Sequence, residues 1–97
     1  MGKVKSYTIQ DAVKLALSDL DTDNEFKIKG ASPMQVDAYL EKELGMIFEH
    51  AEYDSPDDRV CYIYTDREKG VAIAFEWNGW AQYMSVSGYT LKFLDLD

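Results

Sequence analysis

From Val71 to Val86 bulky apolar side chains alternate with small or polar ones, and Asn78-Gly79 interrupts the run. A two-residue type I′ loop needs positive φ at both central positions. Asn-Gly meets that need, so the pattern predicts a β-hairpin that turns there. With that turn Trp77 faces Trp80, Phe75 faces Gln82, Ile73 faces Met84 and Val71 faces Val86, all on one side of the sheet. Gly70, Ala72, Ala74 and Glu76 share the other side with Ala81, Tyr83, Ser85 and Ser87. One side is bulky, the other nearly smooth, and a one-residue slip would exchange them.

Upstream the period changes to that of a helix. Ile9, Val13, Ala16, Leu17 and Leu20 form one apolar stripe, opened by Thr8 and Asp11 as a variant capping box, which predicts a helix over about 9–20. Ser32-Pro33-Met34-Gln35 places Ser at the N-cap, Pro at N1 and Gln at N3. Val36, Tyr39, Leu40 and Leu44 follow as the buried stripe and Gly45 ends it, giving a second helix over about 33–44. Residues 3–7 and Phe26–Lys29 read as short strands.

The longer strands are expected at about 46–53, 59–65, 71–77, 80–86 and 89–95, with turns at Asp54–Asp58 and Ser87-Gly88. Tyr89, Leu91 and Phe93 then extend the bulky side. The predicted fold is α+β: an antiparallel four- to five-stranded meander sheet with two helices packed on one face, as a single domain over 1–97. Helices that precede a run of strands speak against a parallel βαβ arrangement. Neither G-x-G-x-x-G nor a P-loop occurs.

Charge narrows the partner more than the fold does. Eighteen acidic residues stand against ten basic ones, a net charge of −8. Such a balance opposes direct binding of nucleic acid or of an anionic membrane, whose affinity comes from cationic side chains. What remains is a basic protein partner, a cation or plain solubility. The lone Cys61 permits no intrachain disulfide, and no apolar run has membrane-spanning length, so a cytoplasmic protein is expected.

Four candidate features follow. Asp19-x-Asp21-x-Asp23 begins like a calcium loop, but Asn24 stands where the sharp turn wants Gly and Gly30 where the bidentate Glu belongs; no metal or cofactor is expected. His50 and Cys61 lie on neighbouring strands, and a Cys-His pair is a thiolate site in principle. No oxyanion donor can be assigned to that pair, and strand cysteines are usually buried and inert, so no catalytic residue is assigned. Glu49, Glu52, Asp54, Asp57 and Asp58 gather around one strand-turn-strand tip as a negative docking surface, joined by the acidic turn from Asp19 to Glu25. Trp77 and Trp80 flank the hairpin tip, where they cap the core or anchor an interface.

These readings converge on a non-enzymatic acidic protein that binds a basic protein, itself a nucleic-acid binder in the sharpest version. A phage-type inhibitor of a defence nuclease or an immunity protein combines small size, high acidity and no catalytic residues in this way, an analogy of composition alone. Two other classes compete with it. One is a small enzyme or ligand-binding domain using His50 and Cys61. The other is a homodimer or larger homo-oligomer joined through an edge strand or the small sheet face.

Overall fold

The computed structural model describes residues 5–20, 24–54, 59–78 and 83–94. In chain order the elements are β1 (Ser6–Tyr7), α1 (Ile9–Ser18), β2 (Phe26–Ile28), α2 (Pro33–Ala38), β3 (Ile47–Asp54), β4 (Arg59–Asp66), β5 (Val71–Asn78) and β6 (Tyr83–Thr90). Both helix starts follow from their caps. Thr8 Oγ1 accepts from the Asp11 amide at 3.2 Å, and Ser32 with Gln35 forms a full reciprocal capping box ahead of α2. From Tyr39 to Glu43 α2 widens into a π-helical turn, and Gly45 ends it at φ +67°. The first helix stops at Ser18, short of Leu20.

The class is α+β with two helices, as the patterning implies, but the sheet is larger and mixed. Six strands lie in the order β1-β2-β6-β5-β4-β3. β3 to β6 form the antiparallel meander. β2 joins it alongside β6, and β1 pairs with β2 in parallel, so β1-α1-β2 is a small crossover unit that the order of elements had argued against. Both short strands were expected, but at two and three residues they carry too little pattern to show that they join the sheet.

The central hairpin also differs from the two-residue turn. Asn78 pairs with Tyr83, Trp77 with Met84 and Phe75 with Val86, so four residues, 79–82, separate the strands. The partner of Trp77 is thus displaced by four positions, from Trp80 to Met84. An even displacement keeps every side chain on its expected face. It also replaces polar Gln82 by fully buried Val86 opposite Phe75, which explains why this register wins. Gly79 and Trp80 lie outside the described residues.

The expected strands 80–86 and 89–95 are one strand, β6, which runs straight through Ser87 and Gly88. Gly88 serves packing here. A Cβ at Gly88 would sit 2.2 Å from the Ala16 carbonyl oxygen, so the missing side chain lets α1 lie directly on the sheet. Tyr89 consequently falls on the face opposite Val86, and Leu91 to Leu94 form a turn.

The core lies between the helices and the bulky sheet face. Val13, Val36 and Leu40 pack there with Ile73, Phe75 and Val86, all buried. Tyr64 Oη ties α2 to β4 by donating to Asp37 at 2.5 Å. The other sheet face carries no helix among the described residues. There Ala72, Ser85, Ser87 and Thr65 are nonetheless buried, Thr65 donating to Glu49 and Ser85 to Glu25.

Candidate functional site

The open face holds a concavity of about 310 Å³ whose floor is Ile63, Ala74 and Ser87, from the middles of β4, β5 and β6. Period-two alternation puts these side chains on one row with His50, which pairs with Ile63. The adjacent row reads Glu52, Cys61, Glu76, Ser85 across β3 to β6. Tyr89, Phe93 and Leu94 close the far rim, the two rings stacked 5.2 Å apart. Glu25, just before β2, reaches in from the side.

The carboxylates here have different partners. Glu25 accepts from Ser85 Oγ at 3.5 Å and shares a hydrogen bond with Glu76. Burial, then that shared bond, raises the Glu76 carboxyl above the ordinary range; the Arg59 guanidinium, 3.8 Å away, opposes the rise. Glu52 meets His50 Nε2 at 3.3 Å.

Cys61 stands between Glu52 and Glu76 in the row. Burial, and then these two negative neighbours, push its thiol up to about 11, so it is held as SH at neutral pH. The sheet does bring His50 and Cys61 to one concavity, with the imidazole engaged by Glu52.

A bulge between Phe48 and His50 shapes the outer strand. Because of it, Glu49 and His50 both serve the open face, where strict alternation would part them. Glu49 accepts from Thr65 Oγ1 at 2.6 Å and from Arg67 Nε at 3.1 Å. The Arg67 and Thr65 bonds hold its carboxyl below the usual range.

Of the residues singled out as a docking surface, Glu49 and Glu52 therefore lie on the open face. Asp54 ends β3 opposite Arg59. Asp57, Asp58 and Trp80 lie outside the described residues. Trp77 is half-buried against the core, beside Met84, Ala31 and Pro33 at the start of α2.

Sequence reasoning counted Glu25 only as part of the acidic turn after α1 and left Glu76 out of the site. Glu76 did leave a signal, a lone carboxylate within the apolar run of a central strand. The broken calcium pattern shows a different local structure: Asn24 Nδ2 donates to Asp19, and Phe26 already belongs to β2. Asp21 and Asp23 lie outside the described residues. Among the described residues no group of three His, Cys, Asp or Glu side chains is placed to hold a metal ion, and no helix is long and apolar enough to cross a membrane.

Fold and site together define an α+β protein with one helix-covered sheet face and one open face bearing an acid-lined concavity. No protein-family model, curated protein or solved structure matches the chain.

Proposed function

We propose that the chain is a non-enzymatic binding protein that engages a basic protein through its negative surface, with the open sheet face as the centre of that surface. A phage-type inhibitor of a defence nuclease or an immunity protein is the kind of molecule meant. One observation carries the reading: Glu25, Glu52 and Glu76, from three separate parts of the chain, converge on one concavity floored by Ile63, Ala74 and Ser87. Its volume, about 310 Å³, is at the low end for a ligand pocket and suits a single side chain of a partner. Carboxylates at one rim and the Tyr89–Phe93 stack at the other suit a lysine or arginine, whose charged head and long stem want these two surroundings.

The competing enzyme reading would rest on His50 and Cys61. A thiol pushed up to about 11 is a poor nucleophile at neutral pH, which weighs against it.

The test is titration with oligolysine, followed by amide NMR shifts at two salt concentrations. Shifts should cluster on the open faces of β3 to β6, and affinity should fall as salt rises. Glu52→Lys should weaken binding several-fold, whereas the same charge change at exposed Glu68, in the β4–β5 turn, should leave it nearly unchanged. Equal losses in both variants would reduce the effect to net charge and end this reading.

A further inference from the structure

The two edges of the sheet are unequal. β1 is two residues long, and Lys5 beside it folds its ammonium over the Tyr7 ring at 5.3 Å. β3 is eight residues long, contains neither Lys nor Pro, and no described strand lies beyond it. After its bulge, His50 to Asp54 pair with Ile63 to Arg59 in unbroken register. Such an edge is a template for another strand unless something guards it.

Exposed apolar side chains collect at this edge. Met34 is 82% exposed, Tyr53 62%, Ile47 59% and Phe48 42%; apart from Phe93 these are all the exposed large hydrophobics among the described residues. Phe48 lines a hollow of about 310 Å³ with Met34, Pro33, Tyr62 and Phe75, on the helix side where α1 does not reach. On its other side β3 presents His50 and Glu52 toward the acid-lined concavity. An added strand would thus meet apolar surface on one face and carboxylates on the other.

We propose that β3 is a docking edge for an extended segment of a basic partner, whose apolar side chains turn toward Phe48 and Tyr53 and whose alternating basic side chains turn toward Glu52. The proposal rests on the basic-partner reading and adds to it the mode of binding, strand addition. A second copy of this chain is a poor occupant. β3 on β3 would bring together two strands that each carry Glu49, Glu52 and Asp54, in chains of net charge −8.

The experiment compares two short peptides of equal composition, one alternating valine with lysine and one with the same residues in two blocks. The alternating peptide should bind roughly tenfold tighter, and β3 amides should gain protection from hydrogen exchange. Tyr53→Lys, at an exposed position, should abolish that preference. If both peptides bind alike through the open face, strand addition is wrong and the acidic-face reading survives. A preference that persists in Tyr53→Lys also overturns strand addition at β3. If neither peptide binds, both readings fall.

Discussion

The same strands build two faces that obey different physics. On the helix side, Ile73, Phe75 and Val86 are buried among Val13, Val36 and Leu40, and shape complementarity governs the contact. On the open side, alternate residues of those strands, Ala74, Ser85 and Ser87, are small and lie beneath charged neighbours. One face is specified by volume, the other by charge. A change of volume should therefore be costly on the first, and a change of charge should matter chiefly on the second.

Gly88→Ala applies this contrast at its strongest. The added methyl would lie 2.2 Å from the Ala16 carbonyl oxygen and 2.7 Å from its carbon, both backbone atoms. Only a shift of α1 away from β6 can relieve that, at a cost of about 2–3 kcal/mol or more in chemical denaturation. The control is Ser87→Ala on the neighbouring residue, which points to the open side and should cost far less. Equal effects would erase the distinction between the faces.

How much of this was legible in the sequence follows from the range of each interaction. The caps at Thr8 and Ser32 and the alternation in β3, β4 and β5 are local, and reading them gave the class and the sidedness of the sheet. The role of Gly88 depends on a helix some seventy positions earlier, so a Ser-Gly pair looks like a turn until α1 is in place. The four-residue separation of β5 and β6 is likewise set by burying Val86 opposite Phe75, against the pull of Asn-Gly. The site was half legible. His50 and Cys61 could be brought near each other from adjacent strands, but Glu25 meets Glu76 only because β2 joins β6.

Reactivity of Cys61 gauges the open face without disturbing the fold. With its thiol pushed up to about 11, the thiolate fraction at pH 8 is roughly two orders of magnitude below that of a free cysteine. Iodoacetamide should alkylate it correspondingly slowly, with a rate that keeps rising toward pH 11. Rapid labelling that levels off near pH 8 would mean that burial and the flanking carboxylates do not hold the thiol up, and would restore the thiolate reading.

The smallest effect distinguishes two carboxylates on that one face. Glu76 is raised above its ordinary value of 4.5, so the folded state binds its proton more tightly than the unfolded one. Ionised Glu76 therefore burdens the fold at neutral pH, and the burden lifts as pH falls through the raised value toward 4.5. Glu49 is lowered by Arg67 and Thr65, so its contribution is present above 4.5 and is lost as pH falls through the depressed value. Glu76→Gln should raise the melting temperature slightly at pH 7 and converge on the parent as pH approaches 4.5. Glu49→Gln should lower it at pH 7, a deficit that shrinks only at more acidic pH. If Glu76→Gln instead melts lower at pH 7, the ion pair with Arg59 outweighs burial, and this carboxylate serves the fold rather than standing ready for a cationic partner.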